Sequence, residues 1–173
     1  ALLTLNEFDL EYDLDYNETN RRTLIALIDG MKQRGTPIDA IGIQSHLSLK
    51  HREHFSQDVL AGFLKELSDR GIAVMVTELD VVDKAAPGDI AARDAEVASM
   101  YKEYLDVILA SPATKAIVTW GLVDTDSWIT HYYSDQFRRD DGLPPGPLPF
   151  DADMKPKPAY FAIADAFRAA PAR

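Results

Sequence analysis

The chain has 173 residues, the size of one ordinary domain, and 46% of them are apolar, enough to bury a real core. A formal net charge of −10 argues against nucleic acid or an anionic membrane as a partner, since both call for a cationic surface. Without cysteine there are neither disulfides nor thiolate metal sites, although that leaves the compartment open.

Apolar runs and helical periods alternate along the chain. Residues 2–6 predict a strand, and an acidic loop follows through Asn17. A helix comes next, with Leu24, Leu27, Ile28 and Met31 on one face and Gly35 as its stop. Residues 40–46 form the second predicted strand. Ser56 is placed to cap a helix whose stripe is Val59, Leu60, Phe63, Leu64 and Leu67, ending at Gly71. Residues 72–80 read as the third strand, residues 89–110 as a longer helix, and residues 115–122 as the fourth strand. A Pro/Gly-rich loop runs to Lys157, and Pro158 opens a last helix carrying Tyr160, Ile163 and Phe167. No stretch approaches the length of a transmembrane helix and none reads as a signal peptide; the opening on Ala1 in place of Met suggests that a leader or a larger upstream piece has been removed.

Four βα units in strict alternation imply a parallel sheet covered by helices. An open doubly wound sheet and part of a (β/α)8 barrel both fit. The first strand is not followed by a glycine-rich phosphate loop, which weakens the nucleotide-binding form of the open sheet.

The polar residues favour the barrel. The run Val74-Met75-Val76-Thr77-Glu78-Leu79-Asp80 ends an apolar strand on two carboxylates. Regular alternation sends Val76, Glu78 and Asp80 to one face, with the two acids about 7 Å apart. Alternation likewise puts Gln44 and His46 together at the end of the second strand. The fourth strand ends in Thr119-Trp120-Gly121-Leu122, with Asp124, Asp126 and Trp128 just beyond. Polar and aromatic residues gathered at the C-terminal ends of successive strands mark a barrel active site. A lone histidine or tryptophan is more often structural, but here they accompany two strand-end acids.

These motifs resemble the last strands of glycoside hydrolase family 10, the retaining endo-β-1,4-xylanases. The resemblance is carried by Ile41-Gly42-Ile43-Gln44-Ser45-His46-Leu47, by Thr77-Glu78-Leu79-Asp80 and by Thr119-Trp120-Gly121-Leu122-Val123-Asp124 with Ser127-Trp128. Pro149-Phe150-Asp151 and Lys155-Pro156-Lys157-Pro158-Ala159-Tyr160 add to it. Leu5-Asn6-Glu7-Phe8-Asp9 is similar to the family's fifth-strand motif, usually Asn-Asp-Tyr-Asn, with Glu7 and Asp9 as departures. The resemblance implies a (β/α)8 TIM-barrel fold of which residues 1–173 supply strands five to eight, a half-barrel forming one partial catalytic domain.

It also implies roles. Glu78 would be the nucleophile forming a covalent glycosyl-enzyme, His46 its hydrogen-bonding partner, and Asp80 the group that orients the imidazole. Gln44 would bind sugar hydroxyls, Asn6 would lie on the leaving-group side, and Trp120 and Trp128 would wall the site. A nucleophilic carboxylate needs donors that favour its charged form, which independently suits such a trio. No cofactor or catalytic metal is implied. The partner would be β-1,4-xylan or a related polysaccharide, and a polymer substrate implies a secreted or periplasmic location.

A retaining glycosidase needs a second carboxyl about 5–5.5 Å from the nucleophile. In the family, that acid/base glutamate follows an Asn on the fourth strand, so it is expected upstream of this chain. Asn6-Glu7 imitates the pair, but Phe8-Asp9-Leu10-Glu11 follows it in fifth-strand fashion. Open strand edges would then favour self-association or pairing with the N-terminal half. Two alternatives stay open: a non-catalytic xylan-binding half-barrel, and a metal-dependent hydrolase using His46, Glu78 and Asp80. Residues 9–15 read as a solvated acidic face, with a structural ion such as calcium as the other option.

Overall fold

The computed structural model describes residues 1–86, 88–131 and 137–172. Among the described residues five strands pair in parallel: β1 (Thr4–Glu7), β2 (Ala40–Ile43), β3 (His46–Ser48), β4 (Ala73–Val82) and β5 (Thr114–Thr119). Three long helices connect or follow them: α1 (Asp15–Gln33), α2 (Gln57–Asp69) and α3 (Ile90–Ala110). A short α4 (Trp128–His131) and a last α5 (Pro158–Ala169) complete the chain.

The helix signals are local and mostly as expected. Ser56 Oγ accepts the Val59 N–H and the Asp89 carboxylate accepts the Ala92 N–H, so both helices start on a side-chain cap. Proline opens α5, where its missing N–H is harmless. Helix α1 begins at Asp15, earlier than the sequence suggests. Asp15 and Glu18 occupy its first turn, where the exposed N–H groups favour negative charge. Leu27, expected on the inner face, is exposed.

The sheet runs β1–β2–β4–β5, and β3 pairs with the far end of β4. One expected strand, residues 40–46, is therefore two: the chain leaves β2 at Gln44, turns at Ser45 with φ +66°, and restarts as β3. One face of the sheet carries Ile41, Ile43, Val74, Val76 and Leu79. These pack on Leu60, Leu64 and Leu67 of α2 and on Tyr101, Tyr104, Leu105 and Ile108 of α3. Each such apolar side chain contributes about 1.5–3 kcal/mol when fully buried. Asn6 and Thr77 lie on the opposite, polar face, where they bond to one another. Among the described residues, β1 pairs only with β2, and β5 pairs within the sheet only with β4.

Regular alternation along residues 72–80 fails at the place that matters. The β4–β5 register shifts between Val76 and Leu79, three residues of β4 spanning two of β5. This bulge leaves both Val76 and Leu79 in the helix-facing core. Val76 therefore does not share a face with Glu78 and Asp80; the extra residue swings Thr77 and Glu78 together toward Asn6.

Candidate active site

Glu78 and Asp80, in the C-terminal half of β4, come together with His46, the first residue of β3. His46 pairs in register with Asp80, so their side chains stand side by side. The imidazole Nδ1 lies 2.9 Å from Asp80 Oδ1 and Nε2 lies 3.3 Å from Glu78 Oε2. The ring thus faces a carboxylate on each side, and both carboxylates favour its protonated form. Burial pulls the His46 pKa down, but the contacts with Asp80 and Glu78 outweigh it, and the net direction is up. Asp80 is 0% exposed, and burial pushes its carboxyl up against the opposing bonds from His46 and Trp128.

The other oxygen of Glu78 is held from β1. Asn6 Nδ2 donates to Glu78 Oε1 at 2.8 Å, and Thr77 Oγ1 donates to Asn6 Oδ1 at 2.7 Å. A carboxylate accepts only, so it takes the NH2 end of the amide, and the threonine hydroxyl donates to the oxygen at the other end. A side chain at Gly42, which lies opposite Asn6 in the β1–β2 pairing, would collide with Asn6 Oδ1. Gln44 reaches the same place through its backbone: its carbonyl accepts the Glu78 N–H at 3.0 Å. Its side chain lines, with His46, Tyr16, Ser48, Lys84 and Trp128, a cleft of about 500 Å³.

The two tryptophans differ. Trp120 stands edge-on to His46 with ring centroids 6.4 Å apart and is 45% exposed. Trp128, at the start of α4, lies 5.3 Å from the imidazole and donates its indole N–H to Asp80 Oδ2 at 2.6 Å. It is thus part of the hydrogen-bonded cluster as well as a wall. Glu7 lies beside Leu24 and Leu27 of α1, on the other side of β1 from Asn6.

The segment expected as a solvated acidic face is different in kind. Leu10, Glu11 and Tyr12 are all buried. Among the described residues no group of three or more His, Asp or Glu side chains is arranged to hold a metal ion. His46 in particular directs both ring nitrogens at carboxylates.

Sequence reading also missed a buried ionic network behind the site. Lys157 Nζ donates to Asp124 Oδ2 and to the Gly146 carbonyl, both at 2.8 Å. Asp83, fully buried, accepts the Gly146 N–H at 2.9 Å and lies 3.6 Å from both Arg93 and Arg139. These groups tie the loop after α4 to the ends of β4 and α3. The only sequence signal was Lys157 beside Pro158, too far from Asp124 to suggest pairing.

A parallel βα sheet with a carboxylate–imidazole–carboxylate cluster at its strand ends fits part of a (β/α)8 barrel. The comparisons narrow this to a family. The profile of Glycosyl hydrolase family 10 matches residues 1–166, and the chain belongs to that family. It is 28% identical to Endo-1,4-beta-xylanase B of Thermotoga neapolitana, with 94% of this chain covering 46% of that protein. It is 30% identical to an Endo-1,4-beta-xylanase of Geobacillus stearothermophilus, with 94% of this chain covering 51% of it. The crystal structure of xylanase 10B from Thermotoga petrophila RKU-1 in complex with xylobiose superposes with a TM-score of 0.79 at 25% identity, over 97% of this chain and 46% of that one. The fold is thus part of a TIM barrel, and the chain spans about half the length of the curated relatives it matches.

Proposed function

We propose that these residues supply the nucleophile side of a retaining endo-1,4-β-xylanase, which cleaves internal β-1,4 links of xylan. The observation that carries the reading is the environment of Glu78: one carboxylate oxygen accepts from Asn6 and the other faces His46. The two contacts fix the orientation of the carboxylate that would attack. Glu78 attacks the anomeric carbon and the glycosidic oxygen leaves, taking a proton from an acid/base carboxyl. Water then attacks the glycosyl-enzyme, the acid/base removes its proton, and Glu78 is released with the configuration retained. Asp80 fixes the orientation of His46, Gln44 binds sugar hydroxyls in the cleft, and Trp120 and Trp128 offer ring faces to the C–H faces of the sugar. Asn6 orients Glu78 from the leaving-group side.

The acid/base carboxyl is assigned to a segment N-terminal to β1, in the part of a complete barrel that these residues do not include. Glu7 is on the wrong side of β1 for the role. Strands β1 and β5 would pair with that segment, and the chain alone would self-associate through the same edges. A sharp monomer by light scattering with a high, cooperative melting transition would contradict this. A polymer substrate favours a secreted or periplasmic location. The test of function is xylan hydrolysis by a barrel containing this chain, with the anomeric form of the first products followed by proton NMR. Retained β-anomers that vanish with Glu78→Gln support the reading, and inverted products refute it. Binding of xylan without turnover would point instead to the non-catalytic xylan-binding half-barrel.

A further inference from the structure

Glu11 is an acid that the proposed mechanism does not use, yet it is 3% exposed. It lies between β1 and α1. Its Oε2 accepts the Leu10 N–H at 2.8 Å and its Oε1 accepts the Ser45 N–H at 3.1 Å. Burial pushes the Glu11 carboxyl up, against these backbone bonds. Ser45 is the residue at which β2 breaks, and its φ of +66° is unfavourable for any residue with a Cβ. The surrounding bonds hold it there. Its carbonyl accepts from Leu47 and Asp80, and its hydroxyl meets the Ile43 carbonyl at 3.2 Å and the Tyr104 hydroxyl at 2.5 Å. On the other side of Glu11, buried Arg21 of α1 donates from Nη1 to the carbonyls of Leu10 at 2.9 Å and Tyr12 at 2.7 Å. The arginine thus grips the residues on both sides of the acid.

Gln44 and His46 flank Ser45, so the turn decides where both side chains point. If the chain continued as regular strand, β3 would not restart with His46 opposite Asp80.

We propose that Glu11 is a positioning residue: its carboxylate holds the left-handed turn at Ser45 that places Gln44 on the cleft and His46 against Glu78, and Arg21 anchors the segment that carries it. The inference rests on the reading of Glu78 as a nucleophile served by His46, and its test does not depend on turnover. Both Glu11 oxygens accept from N–H groups, so Glu11→Gln, equal in size, sets an NH2 donor against one of them.

The experiment is nitrogen-15 NMR of the imidazole groups across pH, with His46 assigned by its loss in His46→Gln. The unsubstituted chain should show His46 titrating above the ordinary imidazole range, with its Nδ1–H resolved. In Glu11→Gln the titration should move toward the ordinary range and the Nδ1–H signal should disappear, while the far-UV circular dichroism is unchanged. Adding Ser45→Gly, which adopts positive φ without penalty, should restore both signals. A general loss of stability would not be repaired in that way. A folded Glu11→Gln chain with His46 unaltered overturns the proposal. Should Glu11→Gln fail to fold, the double variant decides: folded with the His46 signature supports the proposal, and unfolded, or folded without it, overturns it. A normal imidazole already present in the unsubstituted chain overturns the reading of His46 itself, and this inference with it.

Discussion

Trp128→Phe separates the two tryptophans that look alike in the sequence. The substitution keeps a ring against His46 but removes the N–H that reaches Asp80 Oδ2 at 2.6 Å. Asp80 is fully buried, so no water replaces the lost donor. Hydrogen bonds to charged groups contribute about 1.5–3 kcal/mol, and leaving one buried acceptor unpaired costs an amount in that range, about 2 kcal/mol. For a chain of this size each kcal/mol moves the melting temperature by about 2–4 °C, so a fall of about 4–8 °C follows. Trp120→Phe is the control: its ring is half-exposed at the sheet edge, and its loss should stay within about 0.5 kcal/mol. Urea unfolding followed by far-UV circular dichroism measures both without relying on indole fluorescence. Equal stability of the two variants would refute the indole–carboxylate bond as a stabilising contact.

The raised pKa of His46 sets a direction in pH. The folded state holds that proton more tightly than the unfolded state does. The stabilisation is therefore complete below the ordinary imidazole pKa and is lost as pH rises through the folded value. The stability difference between the unsubstituted chain and His46→Gln should shrink from pH 5 to pH 8, and a difference that grows would reverse the sign of the argument. Lys157→Met leaves Asp124 buried without its cation and should cost about 3–5 kcal/mol in urea unfolding. Changing Asp124 to Leu in the same chain should recover part of that, and additive losses would show that the two charges are not coupled.

Much of the scaffold was legible because it rests on short-range signals. The caps at Ser56 and Asp89, the stop at Gly35 and the apolar stripes follow from the identity of neighbouring residues. The clustering of His46, Glu78 and Asp80 was legible through strand-end position, and the family motifs sharpened it. Two backbone irregularities were not legible. The bulge between Val76 and Leu79 and the left-handed Ser45 both interrupt the period of two on which face assignments depend. Neither position carries a glycine to announce it. Burial of Glu11 was hidden for a related reason: an acid in an acidic stretch reads as solvated until the N–H groups that fold over it are known. The bond from Trp128 to Asp80 and the pairing of Lys157 with Asp124 join residues 48 and 33 apart, and depend on how the loop after β5 returns to the sheet.

The most direct measurement is the intact mass of this chain after incubation with a 2-fluoro xylobioside bearing a good leaving group, alone and together with a segment that completes the barrel. Such a leaving group departs without acid assistance, so the reaction reads the nucleophile even without an acid/base. The expected result is one glycosyl adduct, mapped by peptide digestion to Glu78 and absent in Glu78→Gln. An adduct on another carboxylate, or none in either condition, would contradict Glu78 as the nucleophile.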